Sequence, residues 1–179
     1  MGLLNQSNPQ QEQQPVAPQG NAAPQGGSPD YKGYLQDIES KVPPEFREAY
    51  MRLTSAGLKF MLAPESQQMI DETLKQDQQT PIGELVGKYV AGLMVSMLKK
   101  SNGAPPGQMV IPAGVELTIK AMQYVGDAGY RDVQATDLAS AIETYIYTMM
   151  AAAGAKPEQF DAVIGSMGKG QQGQQPGGM

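Results

Sequence analysis

The chain has no cysteine, no histidine and no tryptophan in 179 residues, and only three phenylalanines. Each absence removes a class of chemistry. Without His or Cys, the common nucleophile–base pairs and zinc ligand sets have no members. Without Cys the fold has no disulfide staple, and a domain of this length needs none. Aromatic residues make up 6% of the chain, so the platforms a carbohydrate cleft normally wants are scarce. Glu84, Glu116 and Glu143 could serve as paired acids by residue type alone. A Ser–Lys pair, Ser96 with Lys99, falls at the end of an apolar segment with no oxyanion motif beside it. The reading is a protein that is not an enzyme, with no cofactor, no metal and no small-molecule ligand.

Basic charge is also short. Lys and Arg number 13 against 18 Asp and Glu, a net charge of -5. That balance disfavours duplex DNA as the main partner and implies no sequence-specific nucleic acid, because phosphate binding wants a concentrated basic surface. Lys99-Lys100 is the one adjacent basic pair, and it suits the negative end of a helix. Long hydrophobic runs are missing too. The uncharged apolar run Tyr89 to Leu98 is too short to span a bilayer. The N-terminus shows no basic segment ahead of an apolar one, so neither a signal peptide nor a transmembrane helix is expected. Gly2 could invite myristoylation, but Gln6 stands where Ser or Thr is wanted.

What is present in excess is Gln, Pro and Gly at the two ends. Residues 1–30 contain the repeated words Ala17-Pro18-Gln19-Gly20 and Ala23-Pro24-Gln25-Gly26. Residues 168–179 repeat Gly170-Gln171-Gln172 and Gly173-Gln174-Gln175. Neither end carries apolar residues enough to offset the entropy of ordering its backbone, so both are expected to be disordered tails. Between them, residues 31–167 form one helical domain.

The expected fold class is all-α, a compact bundle of about five to seven helices, because apolar residues recur at the helical period throughout and no stretch alternates at period two. Tyr34, Leu35 and Ile38 mark a first short helix before Pro43-Pro44. Phe46, Tyr50, Leu53, Gly57 and Met61 mark a second, ended by Pro64. A weaker helix over 65–78 is anchored by Met69, Ile70 and Leu74. Pro81 to Lys100 has the most continuous stripe, Ile82 through Leu98, with Thr80 as N-cap, and is expected at the centre of the bundle. After a loop at 101–108, Pro112 is expected to open a helix carrying Val115, Ile119, Met122 and Val125, stopped by Gly129. Thr136 or Asp137 caps the next, with Leu138, Ile142, Tyr145 and Met149 inward and Gly154 at its end. Pro157 begins a last short helix through Phe160, Val163, Ile164 and Met167.

Three local patterns carry alternatives. Gly83-Glu84-Leu85-Val86-Gly87-Lys88 looks like a phosphate loop but has one residue too few between its glycines, Tyr89 after the lysine, and a helical context. Gly83, Gly87 and Ala91 form a ladder of small residues, the candidate helix-packing or interaction face. It suits tight packing inside a bundle, a contact between subunits, or a helix that meets a membrane only after a conformational change. Asp127, Asp132 and Asp137 gather near a turn, but Arg131 stands among them and no distal Glu follows, so a calcium loop is not supported. Asp132 is expected to pair with Arg131, and Asp137 to serve as a cap or first-turn charge. The 12 methionines suit a plastic core or an adaptable interface.

The tails Gln10-Gln11-Glu12-Gln13-Gln14-Pro15 and Gly170-Gln171-Gln172-Gly173-Gln174-Gln175, with helical stretches such as Met149-Met150-Ala151-Ala152-Ala153-Gly154-Ala155, resemble small virion proteins of tailed bacteriophages. The resemblance is to internal or ejected proteins and is one of composition and layout over the whole chain. It implies a non-enzymatic virion component, made in the bacterial host cytoplasm, that meets other virion proteins and copies of itself in assembly or genome delivery. No functional residue is carried over by it. A head-to-tail adaptor or scaffold-like assembly factor, and a cellular helical protein-interaction module, are the alternatives.

Overall fold

A computed structural model describes residues 27–101 and 106–155. The tails up to residue 26 and from 168, the helix expected from Pro157 to Met167 and part of the loop at 101–108 lie outside the described residues. Within them the chain is all-α, with no strand. Its helices are α1 (Tyr31–Lys41), α2 (Arg47–Met61, led in by a 3-10 turn at Pro44–Phe46), α3 (Pro64–Gln76), α4 (Ile82–Lys100), α5 (Gly107–Asp127) and α6 (Ala135–Ala152).

Most ends follow from local chemistry. Asp30 caps α1 by accepting a hydrogen bond from the Gly33 amide at 3.0 Å. The Gly27 carbonyl accepts from the Ala135 amide at 3.1 Å, so the boundary expected at residue 30 falls inside backbone tied to the start of α6. Gly129 and Gly154 take φ of 71° and 74° just past α5 and α6. In each case the next amide bonds back into the last turn, Tyr130 to the Val125 carbonyl and Ala155 to the Met150 carbonyl. This reversal needs a left-handed residue, which glycine supplies without Cβ strain.

Several expectations are corrected. Thr80 does not cap α4: its amide and hydroxyl both donate to the Asp77 carboxylate, at 2.9 and 2.7 Å, and Pro81 holds the cap position with no side-chain bond. The start of α6 is Ala135 and its cap residue Gln134, so Thr136 lies inside the helix. Asp137 serves as the first-turn charge, accepting from the Gln134 amide at 2.9 Å. Met69 is solvent-exposed, while Ser66 and Leu74 are the buried residues of α3. Pro112 lies inside α5, which begins five residues earlier. The missing Pro112 N–H leaves the carbonyl of Gln108 without its helical donor. Gln108 is exposed, so water can serve that carbonyl, while buried Met109 and Val110 hold the first turn in place.

The centre of the bundle is α5, not α4. It packs against α1, α2, α4 and α6, and residues on all its sides are buried, from Met109 to Val125. Such a helix hides its position from pattern reading because its buried set includes Gly114, Glu116 and Thr118 beside its apolar residues, so no single apolar stripe marks it. The most extensive single pairing is α4 with α6.

Candidate interaction surface

The ladder Gly83, Gly87, Ala91 lies in the α4–α6 contact. A Cβ on Gly83 would come within 2.5 Å of the Asp137 carbonyl oxygen and 2.9 Å of the Ser140 Cβ. One on Gly87 would meet the Ala141 carbonyl oxygen at 2.6 Å and the Thr144 Cβ at 2.7 Å. Successive ladder positions meet successively later residues of α6, so the two helices run parallel. Ala91 is fully buried, as is Ala141, whose backbone faces Gly83 and Gly87. The ladder is thus a backbone-to-backbone seam covered within one protomer.

The acids considered for catalysis stand apart. Glu84 pairs with Lys88 one turn along α4. Glu143 is exposed on α6. Glu116 is 6% exposed in α5, where it accepts a hydrogen bond from the Tyr50 hydroxyl and lies 3.6 Å from Lys120 Nζ. Burial, and then the bond to Glu116, push the Tyr50 phenol well above its ordinary range. This pair ties α2 to α5, and no spacing rule could have joined residues 66 positions apart. Ser96 and Lys99 are both exposed. Among the described residues, no group of three or more carboxylates converges as a metal site would need.

The Gly126–Asp137 region works as a latch. Arg131 does not pair with Asp132; its guanidinium donates to the backbone carbonyls of Asp77 at 2.6 Å and Thr80 at 3.2 Å. Asp132 instead accepts from the Gln134 side-chain amide at 2.9 Å. The Tyr130 hydroxyl donates to Asp71, and that bond is the main reason its pKa is raised. Bonds from Thr80 hold the Asp77 carboxyl below its usual range, with Arg131 adding to the effect. Together these groups fasten α3 and the α3–α4 turn to the end of α5.

A further buried tyrosine ties two helices of the core. Tyr145 is fully buried in α6 and donates to the Val110 carbonyl at 2.7 Å, in space that Gly114 leaves free. Desolvation pushes its pKa far up.

The unspent feature is apolar. Met51 and Leu62 are 57% and 59% exposed, and with half-buried Leu58 they recur at i, i+7 and i+11, which puts them on one side of α2. Phe60 and Met69 are exposed nearby in sequence, the latter on α3. Lys100 lies over the Phe60 ring, 5.5 Å from its centroid. Behind Leu58 and Leu62 a cavity of about 190 Å³ opens between α2, α3, α4 and α5, lined mainly by Met61, Ile70, Leu85, Tyr89 and Tyr124. Large apolar side chains facing water beside an apolar cavity are the composition of a contact surface.

Comparison with family models, with curated proteins and with solved structures gave no match.

Proposed function

We propose that the chain is a non-enzymatic structural component of a bacteriophage virion, an internal or ejected protein that aids particle assembly or genome delivery and acts as a multimer. The observation that carries the reading is the apolar side of α2, where Met51 and Leu62 are exposed and Leu58 is half-buried, with Met69 of α3 exposed as well. An acidic chain with apolar groups turned outward fits protein partners better than nucleic acid. Two exposed methionines in that surface can repack against more than one neighbour.

The core supports the same reading. Two pairs of its inward polar groups hold helices together, Tyr50 with Glu116 and Tyr145 with the Val110 carbonyl, while Thr54 and Thr118 bond within their own helices and the buried Tyr89 hydroxyl has no hydrogen-bond partner. The Gln-, Pro- and Gly-rich ends, by composition, carry no core that would have to come apart in a confined passage. Among the described residues no helix is long and apolar enough to cross a membrane, so membrane contact enters the proposal only after a conformational change.

The test is the double variant Leu62→Lys, Met69→Lys. Both side chains already face water, so the fold keeps its thermal midpoint while the multimer dissociates in sedimentation analysis and incorporation into particles falls. A wild-type chain that sediments as a monomer at high concentration contradicts the multimer. Wild-type assembly of the double variant moves the contact away from this surface.

A further inference from the structure

We propose that the cavity between α2, α3, α4 and α5 binds an uncharged hydrocarbon group of about one ring's size, a ligand class that the sequence alone does not suggest. Met61 of α2, Ile70 and Leu74 of α3, Leu85 and Val86 of α4 and Ala121 of α5 wall a space of about 190 Å³. Close-packed interiors hold few voids larger than a water molecule, so this one departs from ordinary packing. An apolar cavity of about 150 Å³ stays dry and takes benzene, and the larger volume here leaves room for about one or two further carbons.

Water and charge fit this space poorly. A buried water wants about two to four polar partners. On the lining, however, the Thr73 hydroxyl already donates to the Met69 carbonyl at 2.8 Å. The Lys120 ammonium lies 3.6 Å from Glu116 Oε1, so its charge is answered outside the cavity wall. What remains facing inward is mostly carbon. The way in is under α3, which buries only Ser66 and Leu74. Its polar fastenings, Tyr130 to Asp71 and Arg131 to the Asp77 and Thr80 carbonyls, begin past its midpoint. The Pro64 half meets α4 more loosely: the Tyr89 hydroxyl is buried there without a hydrogen-bond partner, although Ser66 is its buried neighbour. That half starts two residues after Leu62 at the cavity mouth, so it is the part that lifts to admit a guest.

The test titrates the full-length chain with benzene, toluene and benzoate, read by calorimetry and amide exchange. Benzene and toluene saturate a single site, raise the thermal midpoint and slow exchange in residues 64–76 ahead of the other helices. Ala121→Leu fills the cavity from α5 and Ile70→Phe fills it from α3. Each weakens toluene binding at least about tenfold by taking the apolar area the ring would bury. Should Ala121→Leu lower helicity, Ile70→Phe on the half-buried face of α3 decides the matter. Benzoate has the same ring but loses hydration of its charge, and binds at least about tenfold more weakly than benzene. Absence of saturable toluene binding overturns the proposal, and so does binding that Ile70→Phe leaves unchanged. Benzoate binding as tight as benzene would assign the attraction to Lys120 and overturn the hydrocarbon class.

Discussion

One substitution made at two glycines of α4 gives opposite outcomes. Gly92 is exposed, and a Cβ there meets nothing within 4 Å. Gly92→Ala therefore gains helix propensity alone and stabilises the fold by roughly 0.8–1.0 kcal/mol. Gly87→Ala gains the same propensity, but its Cβ arrives 2.6 Å from a backbone carbonyl oxygen of α6 and 2.7 Å from the Thr144 Cβ. Backbone cannot rotate away as a side-chain tip can, so the two helices must separate along their most extensive contact. Overpacking of this kind costs about 1–3 kcal/mol, which leaves Gly87→Ala neutral to roughly 2 kcal/mol destabilised. The two variants then differ by about 1–3 kcal/mol, and at roughly 2–4 °C per kcal/mol their thermal midpoints separate by several degrees. Chemical denaturation followed by circular dichroism reads the same gap at constant temperature. Equal stabilisation by both substitutions refutes the close approach of α4 and α6.

Tyr50→Phe leaves the buried Glu116 carboxylate without its phenol donor and lowers stability by about 1–3 kcal/mol; an unchanged denaturation midpoint would show that water replaces the hydroxyl. Arg131→Ala frees the Asp77 and Thr80 carbonyls, costs about 1.5 kcal/mol and speeds amide exchange in residues 71–80 ahead of the rest, whereas uniform exchange would break the latch argument. The pKa values of Tyr50, Tyr130 and Tyr145 are all raised, so the unfolded chain loses these protons first, from about pH 10, and stability is present below that pH and falls above it. Taken by difference against the single Phe variants, the tyrosinate absorbance of these three residues should therefore rise together with helix loss in one cooperative step, and their titration near pH 10 with helicity intact would contradict the burial and bonding.

Helix identity was legible because the chain is locally consistent. Proline at or just before the start of the Pro44 turn, α3 and α4, glycine past the ends of α5 and α6, and an apolar period of 3.6 agree, with Pro112 inside α5 the exception. Rank within the bundle was not legible. Thr118 and Glu116 are polar residues of α5, yet the Thr118 hydroxyl is satisfied by the Gly114 carbonyl at 2.8 Å and Glu116 by Tyr50, so both can be buried. Long-range partners were equally hidden. Arg131 has an acid beside it in sequence and a pair of carbonyls some fifty residues upstream in space, and its rigid planar fork selects the carbonyls. The small ladder was visible as a close-packing face, whereas its partner could be identified only by the contacts of Gly83 and Gly87 with α6.

As a virion component of the kind proposed, the chain would be a counted part of a particle. Quantitative mass spectrometry of purified virions, made by the genome that encodes it, tests this most directly. The prediction is a fixed copy number from preparation to preparation, retained through density-gradient purification. Absence from the virion, with the chain found only in infected cells, would contradict it and leave an assembly factor or a cellular interaction module.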